Sequence, residues 1–305
     1  MRKAALAVAV ALAATAARAA PAGSPWGASY FPDVPLVTQD GRTVRFYDDL
    51  VKDRFVVINF IFTRCKASCP LETAKLARVQ RLLAARVGRD IFMYSITLDA
   101  GHDTPADLKA YAERFHAGPG WLFLTGKRED IDLIRARLGD RSTWQTHTVG
   151  LSLGNDPAGQ WTTLSAVDDP GFLAANIDGW MRTKDTPPRA VRSYAEAPRI
   201  RLGPGEHLFQ TRCAACHTIG DGPSVGPDLR GVTERRDRRW LARWLKDPGK
   251  MLDEKDPLAM ALLAQSQQVV MPTIAVSEED VANLIAFLET QTRRVAAPGR
   301  PAPRE

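Results

Sequence analysis

The chain has 305 residues, of which 45% are hydrophobic and 25% charged, a composition typical of folded globular domains and unlike that of disordered or fibrous chains. Its formal net charge of +6 is modest, and the basic residues form no continuous stripe, so we predict no nucleic-acid partner. The basic cluster at residues 235–239 is interrupted by Asp237, and we expect it to be a solvated face.

The first residues predict an export signal. Residues 2–3 are basic, residues 4–17 are uncharged and mostly apolar, and residues 17–19 fit a small-residue cleavage pattern. The alternative is a membrane anchor, but this apolar run is shorter than the ~20 residues that cross a bilayer. We therefore expect a signal peptide over residues 1–19, no stable membrane insertion, and a soluble protein in an oxidising compartment, most simply a bacterial periplasm.

Residues 20–183 predict alternating strands and helices. Residues 55–62 form a nearly continuous apolar run of strand length, which is typical of a strand buried on both faces, and Pro70 then opens a helix. The order predicts an α/β domain of thioredoxin-like architecture, with helices on both faces of a central sheet. The further predicted elements are strands at 91–98 and 121–124, helices from 105 and over 129–138, a hairpin of 147–153 with 161–164, and a helix over 172–181.

The four cysteines form two pairs of different design. Cys65 and Cys69 lie between the predicted strand and the helix that Pro70 opens, where the positive helix end is expected to favour the thiolate form. Because thiolates are both nucleophiles and soft-metal ligands, this pair predicts a metal site or a reversible disulfide. A static disulfide is the structural alternative.

Further motifs surround the first cysteine pair. They are Phe62-Thr63-Arg64-Cys65…Cys69-Pro70, Ser95-Ile96-Thr97-Leu98-Asp99…Asp103-Thr104-Pro105, residues 121–126, and His147 before a strand. Together they resemble the SCO/SenC family of copper-binding thioredoxin-like proteins over most of residues 30–182. The resemblance implies one copper ion bound by Cys65, Cys69 and His147, a donor set that suits both Cu(I) and Cu(II). Lys66 is a departure, since many members carry proline there.

The second half of the chain predicts a haem domain. Residues 184–202 are rich in proline, arginine and glycine and predict a linker, whereas residues 292–305 predict a disordered tail. Between them, over residues 203–291, lies Cys213-Ala214-Ala215-Cys216-His217, the C-x-x-C-H pattern to which haem is covalently attached, with the histidine as an iron ligand. The surrounding sequence resembles a class I cytochrome c, which implies an all-α domain. The supporting motifs are residues 205–209, residues 225–232, Trp240 with Trp244, and a capping box from Ser277 to Asp280 before an apolar stripe.

The other iron ligand is predicted from the same resemblance. Met271, before Pro272, resembles the distal ligand loop of the family, and Met251 and Met260 are the alternatives. A His217/Met271 pair fills both axial positions of one haem c, which suits electron transfer. His102, His116 and His207 show no partner pattern and are expected to be structural or solvated.

Two functions remain in competition. The first is an exported metallochaperone that supports assembly of a copper enzyme such as cytochrome c oxidase, with a tethered haem for electron transfer. Its partners would be the copper enzyme or its assembly factors and a redox protein. The second is an enzyme, a thiol-disulfide oxidoreductase that uses Cys65 and Cys69. We favour the metallochaperone because one haem carries one electron, whereas dithiol chemistry moves two.

Overall fold

The computed structural model describes residues 25–65, 68–141, 149–181, 202–266 and 268–296. The predicted signal, His147 and all but the last residue of the predicted linker lie outside these ranges. Among the described residues, no helix combines the length and apolarity that crossing a membrane requires.

A seven-stranded mixed sheet forms the centre of the front domain. Its strands are β1 (Pro35–Thr38), β2 (Thr43–Arg45), β3 (Phe55–Ile61), β4 (Ile91–Thr97), β5 (Trp121–Gly126), β6 (Gly150–Asn155) and β7 (Gln160–Ser165). They are ordered β2-β1-β5-β4-β3-β6-β7. β3, β4 and β5 run parallel, and β6 and β7 form the predicted antiparallel hairpin. The short strands β1 and β2 were not predicted.

Helices cover both faces of this sheet, as the sequence predicted. They are α1 (Cys69–Leu83), α2 (Pro105–Arg114), α3 (Arg128–Arg137) and α4 (Pro170–Met181), together with a short helical segment, Phe46–Val51. Val57 and Ile61 of β3 pack in one core with α1, α2 and α4, whereas Val56 and Ile58 pack in a second core with α3. The strand is therefore buried on both faces, which explains its continuous apolar run.

The back domain is helical. Its helices are α5 (Pro204–Leu208), α6 (Val232–Arg235), α7 (Arg238–Lys246), α8 (Pro248–Asp253), α9 (Pro257–Gln265) and α10 (Glu278–Ala296). The predicted capping box opens α10, since Ser277 N donates to Asp280 at 2.9 Å and Asp280 N donates to Ser277 at 3.1 Å. The predicted apolar stripe of α10 is buried against Phe209 and Leu241. α10 continues to Ala296, so the prediction of disorder from Thr292 is wrong for residues 292–296.

Candidate functional site

The first candidate site lies where β3 gives way to α1. Cys69 is fully buried as the first residue of α1, and Cys65 is 7% exposed in the loop before it. A hydrogen bond with the Cys65 thiol, and then burial, raise the pKa of Cys69 far above its usual range. For Cys69 the hydrogen bond with Cys65 and burial therefore outweigh the helix start, which was expected to favour the thiolate. Metal binding would have to displace the thiol proton.

Asp103 fixes the loop that precedes Cys65. This carboxylate is buried and accepts hydrogen bonds from Thr63 N at 3.0 Å, Thr63 Oγ1 at 2.6 Å and Thr97 Oγ1 at 2.5 Å. Because Thr97 ends β4, these contacts hold the loop against the carboxyl edge of the sheet. In the sequence Asp103 stood out only as part of the Asp103-Thr104-Pro105 motif. Thr104, the next residue, is the N-cap of α2.

A carboxyl group that the sequence analysis missed lies next to the thiols. Glu72 is three residues after Cys69 in α1 and is fully buried. Burial raises its pKa to about 8, and the charge of Cys65 acts in the same direction, whereas side-chain hydrogen bonds with Ser68 and Asn59 oppose the shift. Glu72 is therefore largely protonated at neutral pH. The only indication in the sequence was that this charged residue falls on the apolar face of an amphipathic helix.

The third predicted copper ligand, His147, lies outside the described residues. Within the described part of the chain, no group of three or more His, Cys, Asp and Glu side chains is arranged to hold a metal ion. Two adjacent thiols suit a soft ion such as Cu(I) in their donor chemistry. A third donor for this site remains a prediction from the family resemblance.

The second candidate site is an apolar cavity in the back domain. All four predicted haem-binding residues line it: Cys213, Cys216, His217 and Met271. Much of the remaining wall is apolar: Phe209, Val225, Leu229, Leu241, Leu245, Leu284, Ile285 and Leu288. Two thiols, an imidazole and a thioether around an apolar cavity fit a covalently attached porphyrin with two axial ligands. Rival methionines are placed elsewhere, since Met251 is buried in α8 and Met260 is 42% exposed on α9.

The loop after the C-x-x-C-H motif orients His217. Nδ1 of His217 lies 2.9 Å from the carbonyl oxygen of Pro227, which can only accept, so Nδ1 carries the proton and Nε2 is left as the ligand atom. Burial lowers the pKa of His217, which favours this neutral form. Gly226 packs so closely on the ring that a Cβ there would lie 2.5 Å from Cε1.

Cationic and aromatic side chains form one side of the cavity. Trp240 and Trp244 of α7 both line it, with ring centroids 5.4 Å apart. Arg235 and Arg236 also line it, although the sequence placed them on a solvated face. The prediction of a solvated face still fits Arg235, Arg238 and Arg239, which are exposed, whereas Arg236 is partly buried.

The two domains define a thioredoxin-like protein joined to a helical c-type cytochrome. The family model SCO1/SenC matches residues 27–148, and the family model Cytochrome c matches residues 203–292. The chain therefore contains an SCO1/SenC domain followed by a cytochrome c domain, and the family prediction made from the motifs is confirmed.

Individual proteins show the same likeness. A Stutzerimonas stutzeri protein that is named as a copper-binding protein is 30% identical over 119 residues, 39% of this chain and 56% of that protein. An SCO1 protein homolog of Bacillus subtilis is 34% identical over 89 residues, 29% of this chain and 45% of that protein. The crystal structure of yeast Sco1 with copper bound is 26% identical and covers 53% of this chain and 98% of that chain, with a TM-score of 0.42. The chain spans about half the length of the curated relatives it matches.

Proposed function

We propose that this chain is an exported copper-binding redox protein. Its SCO1/SenC domain would carry one copper ion toward a copper enzyme such as cytochrome c oxidase, and its cytochrome domain would carry one haem c for electron transfer. The observation that supports the proposal most directly is the pair of adjacent thiols, Cys65 and Cys69, at the start of α1 in an SCO1/SenC domain. Export is supported by the signal-like residues 1–19 and by the haem attachment motif.

In this proposal Cys65 and Cys69 bind copper as cargo. Thiolates prefer Cu(I), and the imidazole of His147 would complete a trigonal site that also tolerates Cu(II). Both thiols lose their protons when the metal binds. Asp103 keeps the loop in place through Thr63. Cys65 is therefore already positioned before copper binds.

In the cytochrome domain, Cys213 and Cys216 would attach the haem, and His217 and Met271 would ligate its iron. A haem with this ligand pair supplies one-electron transfer at a high potential. Pro227 holds the His217 ring in the tautomer that ligation requires, and the mostly apolar walls suit the apolar faces of a porphyrin.

The alternative is a thiol-disulfide oxidoreductase. The hydrogen bond between Cys65 and Cys69 supports this reading, because disulfide formation needs two adjacent sulfur atoms, and Glu72 is a buried acid that can donate a proton to a leaving thiolate. Copper remains the better-supported ligand, because a single haem and a Cu(I)/Cu(II) couple both exchange one electron. The proposed partners are a copper enzyme or its assembly factors and a redox protein.

Anaerobic copper titration of the full, haem-loaded chain tests the copper function. We expect one tightly bound copper ion, lost in Cys65→Ser and in Cys69→Ser. His147→Ala should weaken chiefly Cu(II) binding, since two thiolates alone still hold Cu(I). The matched control is His102→Ala, because His102 is an exposed histidine whose Nδ1 pairs with Asp99 beside the same loop. Copper binding that His147→Ala leaves unchanged in both oxidation states would favour the oxidoreductase.

A further inference from the structure

One face of α1 lies against the cytochrome domain. It consists of residues spaced so that they share one side of a helix, here called the α1 stripe: Leu71, Lys75, Arg78 and Leu82. Leu71 and Lys75 line a cavity whose other wall is formed by residues 211–212 and 272–275. Lys75, Arg78 and Leu82 line a second cavity with Gln210 and Ala215. Leu71 and Lys75 therefore face the loop that follows Met271, and Arg78 faces the haem attachment segment, whereas Leu82, at the far end of the stripe, is 54% exposed.

Ala215 is central to this contact. It is only 7% exposed, and it belongs to the same buried cluster as the inner residues of α1. Arg78 Nη1 donates to the carbonyl oxygen of Ala214 at 3.4 Å. Because both alanines stand between the haem-binding cysteines and neither bonds to haem, they are free to form a protein contact. The short side chain of Ala215 lets the segment approach the helix closely.

Lys75 is a buried charged residue beside this contact. This lysine is 4% exposed, and its Nζ donates to the carbonyl oxygens of Val167 and Asp168. Lysine is almost never fully buried unless it is paired. Arg212 and Cys216 of the cytochrome domain are close enough to influence its ionisation. The Lys75 ammonium group is therefore held by carbonyl groups of the front domain, next to the cavities that cytochrome residues also line.

The start of α1 also reaches the haem-binding cavity. Pro70 follows Cys69 directly and lines the same cavity as His217 and Met271. One helix thus carries a thiol of the first candidate site and a wall residue of the second.

We infer that the α1 stripe is a docking surface for the cytochrome domain of the same chain. The haem attachment segment is held against the helix that begins at Cys69, and the domain does not move freely on its linker. The inference holds whether Cys65 and Cys69 bind copper or exchange disulfides, so failure of the proposed function would leave it standing.

Ala215→Arg tests the docking in the full, haem-loaded chain. A large cation at this buried position cannot fit against α1, so the domains should separate. We expect acylation of Lys75, followed by mass spectrometry, to become roughly tenfold faster, because opening of the contact exposes its amine. The radius of gyration from small-angle X-ray scattering should increase. The matched control is Ala261→Arg, which makes the same change at an exposed position of α9 and should alter neither quantity.

A second variant changes the front-domain side of the contact. Leu71→Glu leaves the haem attachment segment intact and should have the same two effects, whereas Leu133→Glu, at a 52% exposed position of α3, should have neither. Retention of the haem mass in every variant shows that the cytochrome domain has matured. Unchanged Lys75 reactivity and unchanged radius in both interface variants would overturn the inference. Lys75 protection that disappears on dilution of the unaltered protein would also overturn it, since the contact would then join two copies.

Discussion

The backbone of Gly226 lies against the imidazole ring of His217. A Cβ atom at position 226 would be 2.5 Å from Cε1 and 2.7 Å from Nδ1 of that ring, so glycine is the residue that allows the approach. The neighbouring carbonyl of Pro227 accepts from Nδ1, and the same loop thus sets both the position and the tautomer of the ring.

Gly226→Ala should displace the His217 ring without preventing haem attachment by Cys213 and Cys216. Overpacking of this kind costs about 1–3 kcal/mol, and the ring has to move because the loop is held by Pro227. We expect altered visible absorption of the haem and a lower melting temperature of the cytochrome domain. Gly203→Ala is the control, since nothing lies within 4 Å of a Cβ at that position. An unchanged spectrum in Gly226→Ala would show that His217 is not the iron ligand.

Met271→Ala should remove the distal iron ligand. Met271 lines the haem-binding cavity, whereas Met251 is a buried residue of α8 and Met260 is 42% exposed. The weak charge-transfer absorption of a Met-ligated ferric haem should therefore disappear in Met271→Ala and survive in Met251→Ala and Met260→Ala. Survival of the band in Met271→Ala would place the distal ligand in another loop.

Local patterns predicted most of the fold. The apolar run at residues 55–62 predicts β3 because burial on both faces removes alternation, and C-x-x-C-H predicts the haem site because its ligands are adjacent in sequence. The four-residue strand β1 has no such pattern, since pairing with β5 defines it. Asp103, Glu72 and Arg236 were missed for the same reason. Their roles depend on neighbours brought from other parts of the chain, as Thr97 is brought to Asp103.

Asp103→Asn should loosen the loop before Cys65. An amide has one acceptor oxygen where the carboxylate has two, so at least one of the bonds from Thr63 and Thr97 has to be reversed or lost, and the charge that strengthens the others is removed, at a cost of about 1–3 kcal/mol for a buried group. We expect faster amide hydrogen exchange in residues 62–65 and weaker copper binding. Asp107→Asn is the control, because this exposed residue caps α2 through Thr104 and does not contact the loop residue Thr63. Equal exchange of residues 62–65 in the two variants would contradict the positioning role of Asp103.

Glu72 should make the stability of the metal-free front domain depend on pH. Its pKa is raised from about 4.5 to about 8, so the folded state keeps a proton that the unfolded state loses. The free energy of unfolding should therefore fall as pH rises between these two values, with a slope approaching about 1.4 kcal/mol per pH unit. The stabilising contribution is fully present below the lower value and is lost as pH rises toward the upper one.

Glu72→Gln should abolish this slope, because the amide keeps the size of the side chain and does not titrate. Urea unfolding of the reduced, copper-free full chain at several pH values would measure how the free energy of unfolding depends on pH. Hydrogen exchange of the β3 peptides would report on the front domain alone. Glu113→Gln, at an exposed position of α2, should leave the slope in place. If Glu72→Gln retained the full slope, the proton would be held by another group, and Glu72 would have no part in the proton balance of the Cys65/Cys69 site.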